Sequence, residues 1–243
     1  MAEWRVLRGW SETALLERLG SLAHAQRNFE EPPGELAHRH GWNQYRSDAV
    51  IAYEQPGPPV ADGYFARARV AVENYQFSDP GIVLAHFDPR GPLLGRRLLL
   101  EIRVLALRYL CGAVVAAVED ERREHESVFW FRYDTLEGHI ERGAEWFILT
   151  KEHASGAVSF RIAAAWRPGD FPNWWSRLGF KLLVRRYQLR WHRRAHRRLV
   201  GLIHHSVSDL RPEHRRLATE GPEVSFTWGV AVEASEREVV RGT

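Results

Sequence analysis

The stretch from Phe129 to Trp166 constrains the fold of this chain more than any other. It reads FWFRYDTLEGHIERGAEWFILTKEHASGAVSFRIAAAW. Runs rich in aromatic and β-branched residues are separated by two turn-like breaks, at 135–143 and 153–156. This pattern predicts three antiparallel strands joined in a meander. The first break is unusual because it is strongly charged, whereas a hairpin turn needs only glycine and small polar residues.

The first break and the start of the next strand hold the candidate catalytic residues His139, Glu141 and Glu145. An imidazole and two carboxylates could act as a general base with orienting acids, or as metal ligands. In the competing interpretation they form a structural corner, in which side chains cap backbone amides and pair with arginines. We favour the structural corner and predict no metal, because the spacing alone does not make three ligands converge.

The remaining chain shows helices before and after this block of strands. Helical spacing of apolar residues predicts helices over 12–26 and 60–76 and a long helix from about 174 to 203. Further strands are predicted over 3–8, 49–53, 97–108, 112–119 and 224–232. Because the strands follow one another instead of alternating with helices, the fold class is α+β. A curved antiparallel sheet packed on the long C-terminal helix would leave room for a cavity.

Length and composition set broad limits. The chain has 243 residues, which corresponds to one large or two small domains. Cys111 is the only cysteine, so no intrachain disulfide can form, which is consistent with a reducing compartment. We find no apolar window of the roughly 18 residues that a transmembrane helix needs and no signal-peptide core in the first residues. The sequence therefore predicts a cytoplasmic protein.

Positive charge is concentrated in the predicted C-terminal helix. Residues 171–208 contain nine Arg or Lys and no acid, although the whole chain carries only +3. Trp174 and Trp175, at the start of this helix, could meet a membrane interface or close one end of the cavity. Zinc-ligand spacing, aromatic strand motifs and helix-turn-helix signatures are missing from the sequence, so nucleic-acid binding is not expected. Peripheral contact with an anionic membrane surface stays open, and no oligomeric state is predicted.

The string YDTLEGHIERGAEWF, from Tyr133 to Phe147, resembles the signature of the domain of unknown function 1990 family. Members of that family carry a similar Thr-Leu-x-Gly-His-x-Glu-x-Gly-x-Glu-x-Phe run. The resemblance extends from about Gly41 to Leu199. The family is similar to the helix-grip proteins related to START domains and the birch-pollen allergen, which hold apolar or amphipathic ligands between sheet and helix. The resemblance implies a helix-grip-like fold and a cavity, but no reaction.

Together with the resemblance, these observations predict a protein that binds a small apolar or amphipathic ligand in a cavity between the sheet and the C-terminal helix, with no cofactor. Its core domain would span 41–203, with a helical N-terminal extension over 1–40 and a C-terminal extension over 204–243 that adds one strand. Two alternatives remain: an enzyme using His139 with Glu141 or Glu145 as an acid–base pair, and an interaction module that contacts an anionic surface through its basic helix. The predicted ligand-binding residues are Trp130, Tyr133, Trp146, Phe160, Arg161 and Gln188, with His139 and Glu145 as further polar groups. Strand alternation allows only some of these aromatics to face inward.

Overall fold

The computed structural model describes residues 3–30, 42–169, 171, 174–204 and 212–229, and for 174–182 and 212–213 it describes the backbone only. The helices are α1 (Glu12–Ser21), α2 (Tyr64–Glu73), α3 (Trp174–Ile203) and α4 (Pro212–Glu220). The strands are β1 (Glu3–Val6), β2 (Asn43–Tyr53), β3 (Val83–His86), β4 (Arg97–Val104), β5 (Leu107–Arg122), β6 (Glu126–Thr135), β7 (Glu141–Glu152), β8 (Ala157–Pro168) and β9 (Ser225–Trp228).

The described strands form one sheet, in the order β3-β4-β5-β6-β7-β8-β2-β9, with β1 paired to the start of β5. The pairings are antiparallel, and β4 to β8 follow one another as a meander. Register shifts between Val115 and Ala117 and between Val50 and Ala52 mark irregularities in two of the long pairings. Such bulges increase the local twist and bend a sheet. The sheet is open, because the described strands β3 and β9 end it without pairing to each other.

The two faces of the sheet carry different layers. On one face, Phe131, Phe147 and Phe160 form the main core with apolar residues of α2 and α3. On the other face, Trp130 and Trp146 pack with Phe29 and Trp42. Leu22, which directly follows α1, packs there too, against alternate residues of β4 and β5. Both faces are therefore covered, and only the face beneath α3 carries the candidate site.

Helix α3 crosses the sheet as its apolar stripe predicts. Trp191, Ala195 and Leu199 are buried in the main core, because steps of three and four residues return to the same side of a helix. The arginines of its described part lie on the outer side, at least partly exposed to solvent: Arg185, Arg186, Arg190, Arg193, Arg194, Arg197 and Arg198. The predicted α+β fold, a curved antiparallel sheet packed on a long C-terminal helix, is confirmed.

Several element boundaries differ from the sequence-based expectation. The strand predicted over 49–53 begins six residues earlier, at Asn43, because β8 and β9 pair with both of its edges. The sequence pattern predicts neither β3 nor α4. The side chains of Trp174 and Trp175 lie outside the described part of the chain. The domain boundaries at residues 40 and 203 stay predictions, although β1 and β9 join the same sheet as the strands between them.

Candidate functional site

A cavity of about 90 Å³ lies between the sheet and the middle of α3, which is more space than a single ordered water needs. Much of its wall is apolar and is formed by Ile82, Val83, Leu100, Ile102, Val104, Ile140, Leu183, Val184 and Trp191. The remaining lining residues are polar: Tyr45, Tyr75, Tyr133, His139, Glu141, Glu145, Tyr187 and Gln188. The cavity therefore combines an apolar wall with a concentrated polar part.

The polar part is centred on Glu145, which lies in one row of residues across four neighbouring strands. Tyr133 pairs with Glu145, Glu145 with Ala164, and Ala164 with Tyr45. Directly opposed residues in antiparallel strands point to the same face, so this row faces the cavity. Ala164 is small, which leaves space for the Tyr45 ring to reach over it toward β7. The register of the sheet thus brings two tyrosines and a carboxyl together.

Both tyrosine hydroxyls donate to the Glu145 carboxylate. The Tyr133 hydroxyl lies 2.5 Å from Oε2, and the Tyr45 hydroxyl lies 3.4 Å from Oε1. Burial is the main reason why the pKa of Glu145 rises to about 8, and the nearby Glu141 raises it further. Burial, followed by the charge of Glu145, also raises the pKa of both tyrosines well above the usual value. Near neutral pH these tyrosines are neutral, and Glu145 holds a proton that an ordinary glutamate would lose.

His139 and Glu141 flank this carboxyl. The His139 Nδ1 atom accepts a hydrogen bond of 2.9 Å from the backbone N–H of Glu141, so a neutral ring carries its proton on Nε2. Burial lowers the pKa of His139 to about 4 and raises the pKa of Glu141 to about 7. The imidazole is therefore neutral at physiological pH. Its hydrogen bond goes to the backbone of Glu141 and to neither carboxylate, so His139 does not pair with either glutamate as the enzyme alternative requires.

Some polar atoms in the cavity wall have no hydrogen-bond partner among the described residues. They are the His139 Nε2 atom, the Tyr75 hydroxyl, and both amide atoms of Gln188. All three side chains are more than nine-tenths buried. The Tyr75 hydroxyl is close enough to Tyr133 and Glu145 for both to affect its pKa, although it lies outside hydrogen-bonding geometry. The described protein thus leaves donors and an acceptor unpaired on residues that line the cavity.

The charged turn between β6 and β7 is also a structural corner. The Thr135 hydroxyl accepts from the Gly143 N–H at 2.9 Å and lies 3.0 Å from its carbonyl oxygen. Asn28 holds the same corner, because its backbone N–H donates to the Thr135 carbonyl and its side-chain amide donates to the Glu141 carbonyl. Gly143 has a φ of 153°, and a Cβ there would lie 2.0 Å from the Ala165 carbonyl oxygen. Only glycine fits at this approach.

The structure places the predicted site residues in two groups. Tyr133 and Gln188 line the cavity, as do the three candidate catalytic residues described above. Their placement agrees with the expectation, while their roles stay proposals. Phe160 lies on the cavity face but packs deeper, against Phe77 and His196.

The expected wall positions of Trp130, Trp146 and Arg161 are corrected. Trp130 and Trp146 pack on the opposite face of the sheet. Arg161 lies on that face too, between Phe160 and Ile162 of the main core, and forms an ion pair with Asp48. The physical reason is the strict alternation of a strand, which sends neighbouring side chains to opposite faces. Arg161 therefore does not meet Glu145 and does not line the cavity.

Tyr45 and Tyr75 belong to the site although the sequence pattern does not single them out. Tyr45 lies in a polar run, Asn43 to Ser47, that shows no strand pattern of its own. Tyr75 ends the apolar stripe of the second predicted helix, but in the structure it follows the end of α2 with a φ of 55°. The sequence signal for Tyr75 was a hydroxyl group at the end of an otherwise apolar stripe, a position expected to be buried.

A second buried polar cluster lies beside the cavity. The Ser47 hydroxyl is 2.6 Å from His192 Nδ1 and 2.9 Å from His196 Nε2. All three residues are fully buried, and burial lowers the pKa of both histidines far below the usual value. The hydroxyl has a single proton, so at most one imidazole can accept from it and at least one must donate to it. The cluster connects α3 to β2, and none of its three residues is among those that line the cavity described above.

Neither a metal site nor a membrane span is found where the structure is described. No group of three or more His, Cys, Asp or Glu side chains within residues 3–30, 42–169, 171, 174–204 and 212–229 could hold a metal ion. Over the same ranges, no helix is both long and apolar enough to cross a membrane. On the basic face of α3, Arg194 pairs with Asp79 at 2.7 Å, and Arg198 donates to the carbonyl of Gln76. Part of its charge is thus used in internal contacts.

The fold and the site together define an α+β protein in which one open, curved sheet and its C-terminal helix border a partly polar cavity. The chain belongs to the family described as domain of unknown function (DUF1990), which matches residues 28–198. The match begins at Asn28, the residue that holds the corner of the family motif. No curated protein matches the chain.

Solved structures with some similarity include three of different origin. Ara h 8.0201 has 12% identity and a TM-score of 0.41, with 68% of this chain and 100% of the other covered. A Thalictrum norcoclaurine synthase point mutant in complex with a transition state analogue has 12% identity and a TM-score of 0.42, with 68% and 97% covered. A putative uncharacterized protein from Rhizobium leguminosarum has 12% identity and a TM-score of 0.35, with 68% and 99% covered. At these values nothing about ligand or activity follows from them.

Proposed function

We propose that this protein binds a small amphipathic molecule in the cavity between the sheet and α3. One observation carries the proposal: an apolar wall meets buried polar atoms whose hydrogen-bonding capacity the described protein does not satisfy. Leaving a buried donor or acceptor unpaired costs about 1–3 kcal/mol. A ligand that supplies the missing partners would recover that free energy, and its apolar part would cover the wall formed by residues such as Leu100 and Val184.

The location of the unpaired atoms supports this proposal over a purely structural role. The unpaired atoms belong to three separate parts of the chain: His139 lies in the turn before β7, Tyr75 follows α2, and Gln188 lies in α3. All three residues nevertheless line the same cavity. Mostly apolar pockets with a few convergent polar groups are typical of small-molecule sites. Unpaired buried atoms also occur away from the cavity, at His192 Nε2 and His196 Nδ1, so the support comes from the convergence of several such residues on one apolar space.

Native mass spectrometry tests the proposal on protein purified from the cells that make it. Val184 lines the cavity, so Val184→Trp should fill it. Val70 is 57% exposed on α2, and Val70→Trp is the matched control. We expect the wild-type protein and the Val70→Trp variant to carry a bound small molecule that Val184→Trp lacks. Circular dichroism melting should first establish that both variants fold.

Two results would contradict the proposal. Retention of the same adduct by Val184→Trp would locate the ligand elsewhere. A wild-type protein that carries no adduct and binds no member of a neutral fluorinated fragment library, as followed by 19F NMR, would leave the cavity without a ligand-binding role.

A second candidate function is acid–base catalysis in the same cavity, with Glu145 as the titrating group instead of the His139–glutamate pair that the sequence left as an alternative. The observation that favours it is a carboxyl with a pKa of about 8, held 2.5 Å from the Tyr133 hydroxyl. A group that titrates near the working pH is suited to proton transfer. If a substrate is found, the rate should follow an ionisation near pH 8 that Glu145→Gln removes. A pH profile unchanged by that substitution would exclude this role.

A further inference from the structure

The ionisable groups that line the cavity include acids but no matching positively charged side chain among the described residues. Two carboxyls, Glu141 and Glu145, line it. Among the lining side chains that the structure describes, none is positively charged at neutral pH, since burial lowers the pKa of His139 to about 4. Burial raises the pKa of both carboxyls, and for Glu145 the charge of Glu141 adds to the effect. The site therefore has room for one compensating positive charge.

The hydrogen bonds already present leave acceptor capacity on these carboxyls. A carboxylate has about four lone-pair sites, and Glu145 uses one on each oxygen, for Tyr133 and Tyr45. The Tyr45 bond is long, at 3.4 Å, and is thus weak. No side chain in the described part of the protein donates to the Glu141 carboxylate. A ligand with two or three N–H groups could donate to both acids at once.

Gln188, on the opposite side of the cavity, has an unpaired donor and an unpaired acceptor, and the acceptor suits the same ligand group. It lies on α3, is 9% exposed, and neither of its amide atoms has a partner among the described residues. Its carbonyl oxygen is a further acceptor that borders the cavity. An N–H-rich ligand group would satisfy the acceptors on both the sheet and the helix.

The aromatic content of the wall fits the same ligand chemistry. Tyr45, Tyr75, Tyr133, Tyr187 and Trp191 all line the cavity. The π faces of aromatic rings attract cations, most strongly where water is excluded. An anionic ligand would instead meet two acids. Arg161, the cationic residue predicted to line the cavity, lies on the other face of the sheet.

We infer that the ligand of this cavity is an organic cation, a small amine whose ammonium group lies between Glu145, Glu141 and Gln188 and whose apolar part contacts the wall formed by β4 and α3. The inference rests on the proposed function, because it names the chemical class of the molecule that the cavity binds. The ammonium group would donate to the carboxylates and to the Gln188 carbonyl oxygen. Binding would favour the ionised form of Glu145.

Three probes that share one apolar chain test this inference: hexylamine, hexan-1-ol and hexanoate. Their dissociation constants should be measured by isothermal titration calorimetry at about pH 8.5, where hexylamine is protonated and Glu145 is largely ionised. We expect hexylamine to bind the wild-type protein at least about tenfold more tightly than hexan-1-ol, and hexanoate to bind least. Glu145→Gln should reduce the ratio between amine and alcohol to below about threefold. Glu124→Gln is the matched control, because that side chain is 85% exposed.

The outcomes separate this inference from the proposed function. Suppose that hexan-1-ol or hexanoate binds as tightly as hexylamine and that Val184→Trp abolishes the binding. The inference of a cationic ligand is then refuted, while the cavity remains a ligand site. If the wild-type protein binds none of the probes, the inference is overturned; the proposed function falls with it only if the neutral fragments also fail to bind. Because the three probes are compared on the wild-type protein, the result does not depend on how well a variant folds.

Discussion

Replacing Glu145 with Gln should change how the stability of the protein depends on pH. Glu145 has an ordinary pKa of 4.5 when unfolded and about 8 when folded. Between these values the folded state keeps a proton that the unfolded state has lost, so stability falls as pH rises. This contribution is fully present below about pH 4.5 and is lost by about pH 8. Each pH unit in that window corresponds to about 1.4 kcal/mol, which gives about 5 kcal/mol as an upper limit.

Glutamine imitates the protonated acid and cannot ionise, so the variant should lack this loss. Urea unfolding followed by tryptophan fluorescence, at intervals from about pH 5 to 9, gives the free energy of unfolding of both proteins. We expect the wild-type protein to lose about 3–5 kcal/mol more than Glu145→Gln across that range. Other groups titrate there too, including Glu141, whose pKa is about 7. The difference in the free energy of unfolding between the two proteins therefore reports on the Glu145 carboxyl.

The exposed Glu124→Gln variant should follow the wild-type curve at every pH. A constant difference between Glu145→Gln and the wild-type protein over the whole pH range would refute the reasoning, because it would mean that Glu145 titrates alike in the folded and unfolded states. That result would also remove the support for an uncompensated buried charge at Glu145, on which the proposed cation site depends.

Three further substitutions test the structural parts of the fold by urea unfolding at neutral pH. Lys151→Met should cost about 3–5 kcal/mol, because Lys151 and Glu54 form a buried ion pair at 2.5 Å and the carboxylate would lose its counter-charge. Gly143→Ala should cost at least about 3 kcal/mol, because its Cβ would lie 2.0 Å from the Ala165 oxygen. Ser47→Ala should cost about 2–4 kcal/mol, because two buried imidazoles would each lose their bond to the hydroxyl.

Each of these substitutions has a matched control. Arg216 pairs with Glu220 but is 80% exposed, so Arg216→Met should cost less than about 1 kcal/mol. Gly20 lies in α1, where an added methyl group would meet no atom within 4 Å, and Gly20→Ala should stabilise by about 1 kcal/mol. Ser159, on the sheet face opposite the cavity, should tolerate alanine within about 0.5–1 kcal/mol. Equal losses for a substitution and its control would contradict the assigned contact.

The meander and the long helix could be predicted because their patterns are local. The assignment of faces could not, and β6 and β7 show why. Period two requires Trp130 and Tyr133 to face opposite sides, and likewise Glu145 and Trp146. The sequence does not say which side α3 covers, because large apolar residues occur on both faces of these strands. The choice is made by Phe29 and Trp42, which cover the tryptophans, and by α2 and α3, which cover the other side.

The Tyr45 part of the site could not be predicted because it depends on distant pairing. The run from Asn43 to Ser47 is polar and has little strand propensity. It becomes a strand because β8 and β9 pair with its two edges. These pairings join segments that are far apart along the chain, and no local pattern encodes them. Tyr133 and Glu145, in contrast, belong to consecutive strands, so a local pattern is enough to indicate them.

The family motif explains how a structural corner and a polar site are built from the same residues. Gly143 permits the close approach of β8, and Thr135 fixes both the N–H and the carbonyl side of that glycine. The register of β7 is thereby set, and Glu145, two residues further on, must fall opposite Tyr133 on β6. A slip of one residue would turn Glu145 to the other face, among the tryptophans. The corner and the carboxyl therefore depend on each other: Gly143 and Thr135 position β7, and the position of β7 places Glu145 at the cavity.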